Sequence, residues 1–294
     1  MSLALLLAAA LCANAPAVSV SGAAKGVVDP EAKPQTVPAA NPVAPAAAPA
    51  AGGAEEPAAI IRDLVAGGTH WRVPTDRGPI HVWKPAGYDG KTAGVLVYLH
   101  GYYTNVDEAW RLHRLAEQFR ASRRNALFVV PEVPVGINDP VRWGTLEFLF
   151  ETVLKQAGIE VPAGPVSAMG HSGAFRTLLA WLNSPRLEQI ILLDGLYNAE
   201  DMFLAWLKAE VKPPAASHRM VVVGFETMER SLNFLTNLPE ALYRENIPET
   251  GARFQRRERL AKLLYVHSQF DHMGLVTDGR AIPVLLRLTR FGAL

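Results

Sequence analysis

The segment Met169-Gly170-His171-Ser172-Gly173-Ala174 sets a serine among small residues, after a short apolar run and before a helical pattern. A serine hydroxyl becomes a useful nucleophile only when a base takes its proton, and the base works best when a third group orients it. Two histidines, His267 and His272, follow the late apolar run Leu263–Val266. Two carboxylates also close apolar runs: Asp194 follows Ile190–Leu193, and Glu226 follows Met220–Phe225. A carboxylate directly after four apolar residues is hard to explain as ordinary solvation. Together these residue types are those of acyl transfer through a serine. Each also has a plainer reading. Ser172 could cap the helix that follows it, and the histidines could be ordinary surface or core groups.

The elements needed to hold such groups are legible in the hydrophobic pattern. Short runs read as strands over Thr69–Val73, Pro79–Lys84, Gly94–Leu99, Ala126–Val130, Pro165–Met169, Gln189–Leu193, Met220–Phe225 and Leu263–Val266. Helical spacing is expected over Val106–Arg120, Trp143–Gln156, Ala174–Leu182 and Ile282–Thr289. Strands apolar on both faces and separated by helices imply a mostly parallel sheet covered on both sides, an α/β architecture that is doubly wound or close to it. In such sheets the working groups stand on the loops that leave the carboxyl ends of the strands.

Gly170-His171-Ser172-Gly173-Ala174, placed between a strand and a helix, resembles the nucleophile elbow of the α/β-hydrolases, with Ala174 where that family usually has glycine. The pattern is steric: the residues two before and two after the serine face each other, and Gly170 and Ala174 are small enough to allow it. The resemblance spans Ile60–Leu294 and implies an α/β-hydrolase-type domain over residues 60–294. It also implies Ser172 as nucleophile and a base late in the chain, with His272 chosen and His267 as the alternative. The acid would be Asp194, as in some relatives, or Glu226, which stands in the more usual place. Asp271, next to His272 in sequence, is poorly placed to reach its ring. Two backbone amides should hold the oxyanion, those of Gly173 and Tyr102, the latter in the loop His100-Gly101-Tyr102-Tyr103, where His100 serves as a brace. The implied activity is hydrolysis of a carboxylic ester through an acyl-enzyme, on a small-molecule or peptide-like acyl substrate. A peptidase or amidase with the same triad, and a non-catalytic binding protein of this fold, remain as alternatives.

The remaining features set limits. The 294 residues carry a formal net charge of +1, which gives no reason to expect a nucleic-acid partner. His70, His81, His113 and His218 lack metal-ligand spacing, and no phosphate loop or dinucleotide fingerprint is present, so no cofactor or metal is expected. Arg176 could bind a substrate carboxylate or pair internally, and Trp143, Phe148 and Phe150 read as a core-facing stripe rather than a pocket. Leu3–Leu11 fits the apolar core of a signal peptide over residues 1–24, implying export to a periplasm or the medium. That run is too short to span a bilayer, so stable membrane insertion is not expected. Cys12, the one cysteine, is preceded by Leu11, which disfavours lipid anchoring. Residues 25–59, rich in alanine and proline, read as a disordered linker. Nothing in the sequence defines the oligomeric state.

Overall fold

The computed structural model describes residues 59–209, 218–249 and 253–294. The expected leader, Cys12 and nearly all of the linker lie outside the described residues. The chain runs β1 (Ile61–Val65), β2 (Gly68–Val73), β3 (Ile80–Lys84), β4 (Gly94–Leu99), α1 (Val106–Leu112), α2 (Leu115–Ser122), β5 (Ala126–Pro131), α3 (Leu146–Ala157), β6 (Val166–His171), α4 (Phe175–Ala180) and β7 (Leu187–Leu193). It continues through α5 (Glu200–Lys208), β8 (Arg219–Gly224), α6 (Met228–Leu235), β9 (Leu242–Glu245), α7 (Arg256–Leu260), β10 (Leu263–His267), α8 (Gly274–Thr277) and α9 (Ala281–Leu285).

The ten strands form one sheet in the order β1-β2-β3-β5-β4-β6-β7-β8-β10-β9. The β1-β2-β3-β5 edge is antiparallel, and every pairing from β5 to β9 is parallel. All six residues of β4, Gly-Val-Leu-Val-Tyr-Leu, are buried, as the unbroken apolar run requires of a strand covered on both faces. Alternation along β4 divides the core. Val95, Val97 and Leu99 pack with α3 to α6, whereas Leu96 and Tyr98 pack with α1, α2, α8 and α9. The expected α/β architecture, a mostly parallel sheet with helices on both faces, is the one observed.

Several local expectations are corrected. The helix expected over Val106–Arg120 is two helices, because Arg114 adopts φ 49 and turns the chain. Gln118 stabilises the break by donating its side-chain amide to the His113 carbonyl at 2.6 Å and to the Val276 carbonyl at 2.7 Å. The helix expected from Ala174 begins instead as a 3-10 turn over Ser172–Ala174. β1, β9 and the helices α5 to α8 are further elements that the sequence reading does not assign. Pairing of β2 with β3 also brings His70 Nε2 within 2.8 Å of His81 Nδ1, a contact hidden in the linear spacing. Both rings stack on Trp110, between Asp63 at 2.6 Å and Asp107 at 2.9 Å. Burial and then the adjacent His70 push His81 down to about 4.

Candidate active site

The sheet order reverses between β4 and β6: β4 leads outward to β5 on one side, and the chain then returns to lay β6 on the other. Such a switch point leaves a crevice beyond the carboxyl ends of the two strands. The loop after β4 and the turn after β6 meet there, held by the register Leu99↔Gly170.

Ser172 occupies that turn with φ 53, a left-handed conformation that costs a non-glycine residue on the order of 1–2 kcal/mol. The close approaches around it explain the small residues. A Cβ added at Gly170 would lie 3.2 Å from Ala174 Cβ and 2.8 Å from Leu178 Cδ1. One added at Gly101 would lie 2.9 Å from Ser172 Cβ, so the β4 loop passes directly against the serine. Asp194, at φ 44, and Tyr103, at φ 63, are also left-handed.

Asp194 is fully buried at the end of β7. His272 Nδ1 stands 2.7 Å from Asp194 Oδ2. The amides of Phe225 and Thr227 and the Thr227 hydroxyl donate to Oδ1, at 2.9, 2.9 and 2.8 Å, and the Glu226 amide donates to Oδ2 at 3.1 Å. Burial alone would raise this carboxyl. The hydrogen bonds from His272, Phe225 and Thr227 outweigh it and hold the group well below the usual carboxylate range. The bond to Asp194 in turn raises His272 above the ordinary imidazole value, against the opposing effect of burial. Because a carboxylate only accepts, Nδ1 carries the proton, and the Nε2 lone pair is left for chemistry.

The other candidates are placed differently. Glu226 is exposed, and its Oε2 is 3.9 Å from His272 Nδ1; its backbone amide supports Asp194 instead. His267 lies beside Tyr265, with its Nδ1 3.5 Å from the phenol and its Nε2 3.9 Å from Glu245, and makes no hydrogen bond to Asp194 or His272. One oxygen each of Asp194 and Glu226 and a nitrogen of His272 come within 4.8 Å of one another, a spacing that could admit a cation. A cation there would have to break the Asp194–His272 bond, and the donors already crowding Asp194 fit a bare carboxylate.

In the β4 loop the Tyr103 amide is spent on the Val135 carbonyl at 2.7 Å, while the Tyr102 amide makes no backbone hydrogen bond among the described residues. His100 is fully buried; its Nδ1 donates to the Gly101 carbonyl at 2.7 Å, and its Nε2 meets Glu132 at 2.8 Å. Glu132 also accepts from the Val106 amide at 3.2 Å, so one carboxylate fixes both the loop and the start of α1. Arg176 pairs internally, donating to the Ile137 and Asp139 carbonyls at 2.6 and 2.9 Å and to the Tyr102 hydroxyl at 3.2 Å. The Tyr102 ring covers Gly173 so closely that an added Cβ would meet ring carbons at 2.4–2.5 Å. Gly173→Ala should therefore displace Tyr102 and disturb both amides at once. The expected result is a fall in kcat for an activated ester of about 10²-fold or more, with the circular dichroism spectrum unchanged.

Two further residues bear on this crevice. His171 is buried and donates from Nε2 to the His272 carbonyl at 3.0 Å, its ring 4.5 Å from that of His272. Burial and then the neighbouring His272 push it down to about 3, so it stays neutral. Tyr197 follows Asp194 by three residues, and its side chain interacts with that of Ser172. It opens the region Tyr197–Pro214, which the sequence offers, with Pro131–Arg142, as one that could shape the pocket. Tyr197 also lines a cleft of about 610 Å³ with Glu226, Thr227, Arg230, Phe234 and Asn237. Of the aromatic stripe, Trp143 and Phe150 are buried, and Phe148 is 40% exposed.

No family model matches the sequence, and no curated protein does. Solved structures do. The structure of FAE aligns at a TM-score of 0.50 with 13% identity, covering 80% of this chain and 91% of that one. A feruloyl esterase module from Clostridium thermocellum aligns at 0.48 with 12% identity over 77% and 87% of the two chains. An S-formylglutathione hydrolase from Staphylococcus aureus aligns at 0.48 with 12% identity over 81% and 100%. With the sheet order and the elbow, this likeness defines the architecture: the chain has an α/β-hydrolase-type fold.

Proposed function

We propose that this protein is a serine hydrolase acting on carboxylic esters, with Ser172 as nucleophile, His272 as base and Asp194 as the orienting acid. The observation that carries the reading is the 2.7 Å pair of His272 Nδ1 with the buried Asp194, tied to the left-handed Ser172 turn by the His171–His272 hydrogen bond at 3.0 Å and by the close packing of Gly195 on Ser172. Ser172 Oγ attacks the carbonyl carbon while His272 Nε2 takes its proton. The Tyr102 and Gly173 amides stabilise the resulting oxyanion. The alkoxide then leaves with the proton from His272, and water resolves the acyl-enzyme by the same base. His272 Nε2 makes no hydrogen bond among the described residues. In the reading proposed here Ser172 Oγ, which interacts with Tyr197 in the free protein, turns to His272 Nε2 when substrate arrives. The cleft beside Tyr197 offers room for one arm of the substrate. The shared fold, the strained Ser172 turn and the buried acid–imidazole pair support acyl-transfer chemistry, and Leu3–Leu11 supports an exported location.

The test pairs substrate preference with pH. Turnover of p-nitrophenyl acetate should exceed that of a peptide p-nitroanilide. The acid limb of kcat/KM should have its midpoint above 6.5, because only neutral His272 accepts a proton and Asp194 raises its value. A preference for the anilide, or an acid limb below 6.5, would count against the assignment.

A further inference from the structure

A net charge of +1 conceals a segregated distribution. Ser172, Asp194 and His272 stand beyond the carboxyl ends of the parallel strands. At the amino ends of the same sheet, arginines converge from separate segments. Arg219 opens β8, Arg124 precedes β5, Arg256 and Arg259 lie on α7, and Arg287 and Arg290 belong to the segment after α9. These six line a cleft of about 550 Å³. An adjoining cleft of about 480 Å³ shares Arg124, Arg259 and Arg287 and adds Arg123 and Arg253. Among the described residues no aspartate or glutamate lines either cleft. The carboxylates nearby are engaged at the margin or turned elsewhere: Glu188 pairs with Arg290 at 3.1 Å, and buried Glu258 pairs with Arg244 at 2.7 Å.

The cleft is built rather than merely basic. Arg219 is only 6% exposed, and its guanidinium is fixed by the Ala261 carbonyl at 3.2 Å and by the Arg259 carbonyl. Arg124 donates to the Phe291 carbonyl at 3.3 Å, while its buried Nε has no partner. Burial and then the nearby Arg290 push Arg219 down to about 10, and burial followed by Arg287 and Arg259 lowers Arg124. Folding thus holds like charges close together, partly removed from water, with Arg124 and Arg219 anchored on backbone carbonyls. Such an arrangement favours an anion with more than one charge. The planar, multiply donating guanidinium suits the tetrahedral oxygens of phosphate, which it can meet two at a time.

We propose that this arginine-lined cleft at the amino ends of β5, β8 and β10 binds a multivalent phosphate anion. The site is remote from the serine and does not depend on the esterase reading. Its source would be either a soluble oligophosphate or a phosphate headgroup at a lipid surface. The full chain is titrated calorimetrically with sodium tripolyphosphate at low ionic strength. It is then sedimented with phosphatidylcholine vesicles, with and without phosphatidic acid. The double variant Arg256→Glu/Arg259→Glu is measured alongside; both side chains are exposed, and neither belongs to the ester-cleaving machinery. Binding of at least one probe is expected, weakening about tenfold or more in the double variant and with added salt, while ester turnover and Tm stay at wild-type values. Tripolyphosphate binding assigns a soluble ligand, and binding only to phosphatidic acid vesicles assigns a headgroup. Failure of both probes to bind, or equal binding by wild type and double variant, would overturn the proposal.

Discussion

Ser172→Ala is expected to lower p-nitrophenyl acetate turnover by at least about 10⁴-fold and to abolish covalent labelling by a fluorophosphonate. The expectation follows from the role: no other hydroxyl combines the strained turn with the adjoining Asp194–His272 pair among the described residues. The cost to stability should be small, within about 1 kcal/mol, because alanine inherits the same left-handed backbone and loses only the contact with Tyr197. His272→Ala should fall by a similar factor, since groups acting as one unit fail together. His267→Ala should label and turn over like wild type, its ring being occupied with Tyr265 and Glu245. Labelling that persisted in Ser172→Ala would refute the nucleophile, and labelling lost in His267→Ala alone would transfer the role of base.

The second large effect concerns Asp194. Asp194→Asn should reduce kcat by about 10⁴-fold, because a carboxamide can present an N–H to His272 Nδ1 and so leave the proton on Nε2, the wrong nitrogen. It should also destabilise the fold by about 3 kcal/mol, since a site built from donors must now face an NH₂ group. The pH dependence of that loss has a definite sign. The depressed Asp194 contributes stability that is present above the ordinary carboxyl value of 3.8 and lost as pH falls through its folded value. The raised His272 contributes stability that is full below 6.5 and lost as pH rises through its folded value. The difference in unfolding free energy between wild type and Asp194→Asn should therefore be widest between these values and narrow on either side. Denaturant titrations across that range measure it; a gap independent of pH would show that Asp194 stabilises only by shape.

Much of the site could be read along the chain because its constraints are local. The elbow needs small residues at Gly170 and Ala174 whatever lies around it, and an unbroken run such as Gly94–Leu99 buries itself on both faces. Between the two carboxylates, each at the end of a strand, the linear order could not decide. Asp194 is distinguished by the next strand turn, where the amides of Phe225, Glu226 and Thr227 close around it and turn the Glu226 side chain outward. The same holds for the two histidines, which differ by five positions but point to different neighbours. The role of His171 could not be picked out, since its contact lies on a segment distant in sequence, and the contact of Tyr197 with Ser172 depends on how a loop folds back.

The sequence by itself determined the alternation of buried strands and helices, the sharp turn at Ser172 and the short set of groups that could serve it. These follow from side-chain size and hydrophobic period, which act over a few residues. Only the tertiary structure decided which carboxylate meets which imidazole, that His171 supports the His272 loop, and that arginines from α7, β8 and the C-terminal segment gather in a single cleft. Hydrogen bonds and charge interactions act over a few ångströms, and the distances between these groups are set by the crossovers of the sheet rather than by their spacing along the chain.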